Sequence, residues 1–191
     1  MQMKTITKIL TTVRGLRSRF AAKPVALPNA LGLINEHGIE TLLLDPLSVY
    51  NVANPVPTRF LIYQRGASGY QYGDVCTGGP GGPLPLGVSA DAPYAANDPF
   101  NVRRLGARPG LELGVAAANT TVTIDKLLVA AAGGRVQDVT TLTVNGTYWV
   151  VGRAAASVAV SSSTGELPYV PFDPFEAIYT NGILTFPANP A

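Results

Sequence analysis

The sequence has few of the side chains on which most enzyme chemistry depends. Its 191 residues include one His, one Cys and one Trp, and only 14% are charged, against about 25% in an average soluble domain. A single Cys excludes an intramolecular disulfide and a zinc site built from several thiolates. His37 is the only histidine available as a base for a Ser or Cys nucleophile. We therefore expect no enzyme activity, no catalytic residues, no metal and no cofactor.

The segments that superficially resemble catalytic motifs each lack a required element. Ser68 lies in a Gly-Ala-Ser-Gly segment without the second glycine position of a nucleophile elbow, so we interpret it as a turn residue. The glycine-rich run 78–83 lacks the Lys-Ser/Thr pair of a phosphate-binding loop. Cys76 has no second thiol to join it and is interpreted as a small buried hydrophobic residue. Asp173 and Glu176 are the one carboxylate pair compatible with a glycosidase, with few aromatic residues nearby.

The sequence also lacks long apolar runs, and its apolar residues occur instead in short runs that are typical of β-strands. Gly (20 residues) and Pro (16 residues) are frequent, while hydrophobic residues reach 47%. Beyond residue 58 the chain consists of short β-prone runs separated by turn residues, which is typical of a sandwich or barrel. Asn145-Gly146 is the strongest hairpin signal, predicted to join strands at 141–144 and 148–151. We predict an all-β fold: an antiparallel β-sandwich or β-barrel body with an extended, partly helical N-terminal arm.

Two segments with different compositions are predicted within the chain. Residues 1–58 form a basic N-terminal arm and a Pro-rich connector, and residues 59–191 form the β-rich body. A weak internal similarity, with Gly87 corresponding to Gly152, suggests two related β lobes in the body. In the same similarity Asp74 precedes the first copy as Asp125 precedes the second, although the two spacings differ.

The arm carries a charge opposite to that of the rest of the chain. Residues 1–35 contain six Lys and Arg and no acid, a charge of +6, while the remainder carries +8 and −12, or −4. Apolar residues recur in the arm at three- and four-residue steps, which places them on one face of a predicted helix. Pro24 ends this helix. The preferred interpretation is a helix or strap packed on its own body or on a neighbouring subunit. Organelle targeting or membrane binding, nucleic-acid contact and disorder are the alternatives.

The order of several short segments between residues 58 and 175 resembles that of a known family. The segments include Pro85-Leu-Gly-Val88 followed by Asp91-Ala-Pro93, then Gly134-Arg-Val136, and then Gly146 to Ala154, which contains Trp149-Val-Val-Gly-Arg153. Together they are similar to the small capsid cement, or head decoration, proteins of tailed bacteriophages. The resemblance implies a virion protein on the outer surface of an icosahedral capsid, often a trimer, that bridges subunits of the major capsid protein. The N-terminal arm is longer and more basic than this family pattern requires.

The composition agrees with a role in assembly. A low surface charge gives weak protection against association, so an oligomer or a bound partner is expected. The arm residues expected to contact the capsid or a subunit are Lys4, Ile6, Lys8, Ile9, Leu10, Val13, Arg14, Arg17, Arg19 and Phe20. We expect no nucleic-acid or membrane partner, synthesis in the host cytoplasm and a final location on the virion. A β-rich module for a glycan or a fibre, and a soluble hydrolase, are the competing functions.

Overall fold

The structure is a computed structural model, and it describes residues 38–107, 110–160 and 168–186. The described residues form strands joined by turns, with two 3-10 turns at Ala132–Gly134 and Val139–Thr141. The all-β prediction is therefore confirmed. The strands are β1 Ile39–Leu44, β2 Ile62–Arg65, β3 Tyr72–Val75, β4 Pro85–Ser89, β5 Pro99–Arg104, β6 Glu112–Val115, β7 Thr121–Val122, β8 Leu127–Ala131, β9 Arg135–Asp138, β10 Thr147–Ala154, β11 Val158–Ala159, β12 Tyr169–Thr180 and β13 Ile183–Thr185.

The first five strands form a closed barrel. Their order is β1-β3-β2-β4-β5, and β5 returns to pair with β1. Strand β1 is parallel to β3, and every other pair in the barrel is antiparallel. Alternate side chains of a strand point to one face, so β1 buries Glu40, Leu42 and Leu44. Leu42 and Leu44 pack with Tyr63 and Phe100 in the core of this barrel.

The barrel includes a segment that the sequence analysis assigned to the connector. The apolar run at 41–44 lies in β1 and pairs with two neighbouring strands. The described body therefore already includes Gly38, well before the boundary predicted at residue 58. The alternation of β1 is obscured in the sequence because one of its buried positions is a glutamate, Glu40, which is fully buried. A buried charge at that place conceals the period-two pattern of a strand.

The remaining long strands form a second ring. Its sheet has the order β13-β12-β10-β8-β9, and β6 also pairs with β12. A parallel bridge joins Ala116, directly after β6, to Val136 of β9, so β6 connects the two sides of the sheet. Strands β7 and β11 form a separate two-stranded ladder. The largest hydrophobic cluster combines side chains of both rings, among them Val88, Leu128, Val151 and Phe172.

The two rings share one pairing scheme. The barrel follows β1-β3-β2-β4-β5, and the second ring follows β6-β9-β8-β10-β12 with its one parallel contact at the corresponding place. Gly87 in β4 and Gly152 in β10 both stand directly after a break in strand register. The predicted correspondence of Asp74 and Asp125 does not follow this scheme, because Asp74 lies in β3 and Asp125 precedes β8, the counterpart of β2. Two related lobes remain a prediction, which the shared scheme supports.

The hairpin predicted at Asn145-Gly146 is wrong. Residues 139–141 form a 3-10 turn instead of a strand, and β10 pairs with β8 and β12. The cause is Asp138, whose side chain accepts hydrogen bonds from the Thr140 amide and hydroxyl, both at 2.9 Å. Thr141 also donates its hydroxyl to the Asp138 carbonyl at 2.7 Å. These local bonds compete with strand pairing at that position.

Candidate interaction surface

The predicted contact residues of the arm, from Lys4 to Phe20, lie outside the described residues, as does His37. The described chain offers a different candidate, the loop at residues 45–57 between β1 and β2, which we call the apolar loop. Its exposed aliphatic side chains are Leu47, Val49 and Val52, at 75%, 72% and 60% exposure. Residues 46–58 contain no charged side chain. Clustered apolar exposure of this kind marks interaction sites on folded proteins.

Side-chain hydrogen bonds hold the tip of the apolar loop. In the backbone, the Asn51 N–H donates to the Asn54 carbonyl at 3.0 Å and the Asn54 N–H donates to the Asn51 carbonyl at 2.9 Å, which encloses Val52 and Ala53. The Asn51 Oδ1 atom accepts from the Ala53 amide at 2.9 Å and from the Asn54 amide at 3.2 Å. The Asn54 side-chain amide donates to the Val49 carbonyl at 3.1 Å. The tip is therefore fixed by its own sequence, as Asn side chains commonly fix turns.

The base of the apolar loop is tied to the barrel through Asp45 and Ser48. The buried Asp45 carboxylate accepts from the Leu47 amide at 2.8 Å, and from the Ser68 hydroxyl and amide at 2.6 and 2.9 Å. Burial raises the pKa of Asp45, but the hydrogen bonds from Ser68 and Leu47 outweigh it and leave the pKa below its ordinary value. Ser48 donates to Asp74 of β3 at 2.6 Å. The apolar loop is thus a preorganised surface.

The prediction that Ser68 is a turn residue is confirmed. It lies in the turn between β2 and β3, and its hydroxyl donates to Asp45. Cys76 is fully buried, as predicted, and burial raises the pKa of its thiol.

The glycine-rich run 78–83 lies in the loop between β3 and β4 of the barrel, and it is hydrogen-bonded to β10 of the second ring. The Gly81 amide donates to the Thr147 carbonyl at 2.8 Å, and the Trp149 indole donates to the Gly82 carbonyl at 3.1 Å. Gly78 has a φ of +62°, and a side chain there would meet the backbone of Ala131. Gly78 therefore serves close packing between the rings, whereas a side chain at Gly79 or Gly81 would meet open space.

Two glutamates of the described residues form ion pairs inside the body. Glu40 lies 2.6 Å from the Arg65 guanidinium and 3.5 Å from that of Arg104. Glu112 lies 2.6 Å from Arg103. These ion pairs lie near barrel strands whose other inward residues are mostly apolar. A buried carboxylate there would lose its hydration, so each acid requires its cationic partner.

The two carboxylates considered for a glycosidase lie in different environments. Asp173 and Glu176 lie three residues apart in β12, on either side of a break in its register with β10. Asp173 is exposed, whereas Glu176 is half-buried. Burial raises the pKa of Glu176, and the nearby Arg104 lowers it in part.

An open cleft of about 540 Å³ lies on the second ring. It is bordered by the turns at 139–146 and 181–182. None of its lining side chains is acidic or basic, and the chief members are Leu142, Val144, Asn145, Tyr148, Tyr179 and Asn181. The Tyr148 hydroxyl donates to the Val144 carbonyl at 2.8 Å, which fixes one side of the cleft. A cleft of this composition suits a neutral, hydroxyl-bearing ligand better than an ionic one.

None of the helices in the described part of the chain is long and apolar enough to cross a bilayer. Among the described residues, no group of three or more His, Cys, Asp and Glu side chains lies close enough together to hold a metal ion. Comparison with known proteins found no matching family model, no matching curated protein and no matching solved structure.

Proposed function

We propose that this chain is a structural virion protein that binds the outer surface of an icosahedral phage capsid and stabilises the shell by bridging capsid subunits. The observation that carries the proposal is the apolar loop on a closed barrel, which is held by hydrogen bonds and exposes aliphatic side chains in a stretch without charge, residues 46–57. An exposed apolar surface of this kind is unfavourable on a free monomer and indicates that the protein binds a partner in an assembly. The resemblance of residues 58–175 to phage decoration proteins supports the same role.

The fold suits mechanical reinforcement. A closed barrel has no free edge strand to pair with unwanted partners, and a second ring packs against it through a shared core. A rigid body loses little conformational entropy on binding, so more of the contact free energy appears as affinity. A homotrimer presents three copies of each contact, which raises the avidity for the shell without any additional contact type.

The arm is the proposed capsid and subunit contact, and its partly helical form remains a sequence prediction. Its basic residues, among them Arg14, Arg17 and Arg19, complement an acidic surface and accelerate encounter with it. Its apolar residues, among them Ile9, Leu10 and Val13, would bury surface at about 25 cal/mol per Å² before ordering costs. In this proposal the protein acts without enzymatic activity, and the major capsid protein is its partner.

Binding to empty capsids tests the proposal. Purified full-length chain is mixed with empty heads of the phage whose genome encodes it, and the mixture is sedimented. The expected result is saturable co-sedimentation and a higher melting temperature of the heads. Deletion of residues 1–23 should remove most of the binding, and light scattering of the free protein should give the mass of a trimer. Absence of co-sedimentation by the folded full-length chain would overturn the proposal.

A glycan-binding module is the second candidate function, and the cleft favours it. Asparagine amides match pairs of sugar hydroxyls, and the Tyr179 ring provides an apolar face beside Asn145 and Asn181. A glycan array with the full-length chain tests this function, with Tyr179→Ala as the site variant. Binding that is lost in this variant would favour the second candidate, whereas an array without signal leaves only the first.

A further inference from the structure

We propose that Asn145 is a site of spontaneous deamidation, a covalent modification that places a carboxylate in the uncharged cleft of the second ring. The sequence contains an Asn-Gly pair twice, at 145–146 and at 181–182, and both asparagines line this cleft. The two pairs have different local structures, and these structures assign the reactivity to the first. The reaction is independent of the proposed function, because it requires this chain and water alone.

The reaction joins the asparagine side chain to the backbone of the next residue. The Gly146 nitrogen, after losing its proton to hydroxide, attacks the Cγ carbonyl carbon of Asn145. A C–N bond forms to give a cyclic imide, the bond from Cγ to the side-chain nitrogen breaks, and that nitrogen leaves as ammonia after taking a proton from water. Water then opens the imide at either carbonyl, which gives aspartate or isoaspartate. The net change consumes water and releases ammonia, with no other reactant.

Glycine at position 146 promotes the attack and is also required by the packing. Because it has no Cβ, its nitrogen is the least hindered nucleophile that a residue after asparagine can offer. A side chain at 146 would meet the ring of Pro80, in the loop between β3 and β4. The contact between this loop and the second ring therefore maintains the reactive pair.

Asn145 is free to reach the geometry of attack. Its side chain is exposed, and residues 142–146 lie between the 3-10 turn at Val139–Thr141 and β10, in neither a strand nor a helix. Within the described part of the chain, neither the Asn145 side chain nor the Gly146 N–H makes a hydrogen bond. The side chain can therefore rotate toward the glycine nitrogen, and no acceptor holds the proton of that nitrogen. Exposed loops of this kind change conformation at little cost in free energy.

Asn181 is held in a two-residue hairpin turn. Thr180 pairs with Ile183 in the ladder of β12 and β13, and Asn181 and Gly182 between them have φ values of +47° and +93°. Positive φ at both central residues is the mark of a type I′ turn. Closure of the imide ring requires a different backbone conformation at the asparagine, so this turn must open first. Opening also disturbs β13, whose Leu184 packs in a hydrophobic cluster, and the same dipeptide is therefore protected here.

Deamidation changes the chemistry of the cleft. Its lining side chains include neither acids nor bases, so the new carboxylate is the first charge among them. Isoaspartate also adds a methylene carbon to the backbone directly after Val144, whose carbonyl accepts the hydrogen bond from the Tyr148 hydroxyl. The modified cleft therefore favours cationic ligands over anionic ones, and its wall is displaced beside Tyr148.

Mass spectrometry of the aged full-length protein tests the assignment. The purified chain is incubated at pH 8 and digested with a Lys/Arg-specific protease, which cuts after Arg135 and Arg153 and so places the two pairs on different peptides. The increase in peptide mass follows the conversion of each side-chain amide to a carboxylate. Conversion at Asn145 should be at least about tenfold faster than at Asn181, a difference of about 1.4 kcal/mol in activation free energy. Equal rates, or a faster reaction at Asn181, would overturn the proposal.

Denaturation separates the effect of the fold from that of the local sequence. In concentrated urea the hairpin turn at 181–182 is lost, so the rates of the two pairs should become similar. A difference that persisted in urea would have its cause in the neighbouring residues and not in the fold. The assignment from the structure would then be wrong.

A substitution and an enzymatic label identify the reacting residue and the route. Asn145→Gln moves the amide carbonyl away from the glycine nitrogen by a methylene group, so the mass increase of this peptide should disappear while that of the other peptide stays unchanged. An isoaspartyl methyltransferase should label the 136–153 peptide of the parent chain, because direct hydrolysis of the amide gives aspartate alone. Continued conversion of this peptide in Asn145→Gln, or conversion without isoaspartate in the parent chain, would contradict the proposal.

Discussion

Gly87 and Gly152 occupy equivalent places in two rings of different sequence. Each directly follows a break in register, in β4 and β10 respectively. A side chain at Gly87 would meet the carbonyl oxygen of Arg103, and one at Gly152 would meet that of Asp173. In both rings a neighbouring strand therefore approaches so closely that only glycine fits. Close backbone packing therefore explains glycine at both positions.

Alanine at either glycine should destabilise the body. Gly87→Ala and Gly152→Ala each force two strands apart, and we expect a loss of about 2 kcal/mol in the free energy of unfolding, as for other overpacked sites. Chemical denaturation measures it. Gly106→Ala is the control, because that site has open space and a φ of +68°, so its cost is limited to about 1 kcal/mol of backbone strain. Losses no larger than that of Gly106→Ala would show that the strands are not tightly apposed.

The Asp45 carboxylate should couple stability to acid pH. Its folded-state pKa lies below the ordinary value, so the ionised form stabilises the fold above the unfolded pKa of about 3.9. This contribution is lost as the pH falls through the lower folded value. Asp45→Asn should reduce the free energy of unfolding at pH 7 by about 2 kcal/mol, since charged hydrogen bonds to Ser68 and Leu47 are weakened. The difference from the parent chain should shrink at pH 3.

The exposed Asp173→Asn is the matched control for this measurement, since Asp173 lies on the surface of β12. It should leave the free energy of unfolding within about 0.5 kcal/mol of the parent value. A pH profile of Asp45→Asn that runs parallel to that of the parent chain would show that Asp45 does not stabilise the loop.

Glu40 should be essential to the barrel. Its carboxylate is fully buried beside two arginine side chains that are each about one-quarter exposed, Arg65 at 25% and Arg104 at 24%. Glu40→Ala removes the carboxylate that both cations share, and we expect a loss of about 3 kcal/mol, at the low end for a buried pair because the arginine side chains are partly exposed. Thermal and chemical unfolding measure the loss. A double-mutant cycle with Arg65→Met should show coupling; additive losses would mean that the pair contributes nothing.

Glu176 should have the opposite pH behaviour to Asp45. Burial raises its pKa, with partial opposition from Arg104. Because the folded pKa exceeds the unfolded value of about 4.3, the protonated form is favoured in the fold. Stability therefore falls as the pH rises from the unfolded value through the raised folded value. Glu176→Gln should be at least as stable as the parent chain at pH 7, with no advantage at pH 3. A clear loss of stability at pH 7 would contradict this reasoning.

The general fold was predictable from the sequence, but some local elements were not. Turn residues at short intervals between β-prone runs predict an all-β body correctly. Strand β1 was missed because Glu40 occupies an inward position, where its burial depends on distant arginines. The hairpin at 145–146 was predicted wrongly because the side chain of Asp138 stabilises a 3-10 turn. The first failure comes from a buried acid whose partners only the folded chain reveals, and the second from a local hydrogen bond between Asp138 and the residue two places on.

The candidate surface was missed for a related reason. Proline at positions 46, 55 and 57 suggested an extended connector, and exposure of Leu47 or Val49 cannot be deduced from residue type. A usable signal was present, because the charge-free stretch 46–58 contains Asn51 and Asn54 flanking a two-residue turn. The contact residues of the arm, Lys4 to Phe20, lie outside the described residues and remain predictions.

The position of β1 determines how the body resists tension. The chain leaves the arm and enters β1, which is hydrogen-bonded on one side to β3 and on the other to β5. A pull applied through the arm along this strand would load both rows of hydrogen bonds in shear, so that many must break together. An outermost strand would instead unzip one bond at a time. The barrel would therefore open only under a strong pull on the N-terminal end of β1.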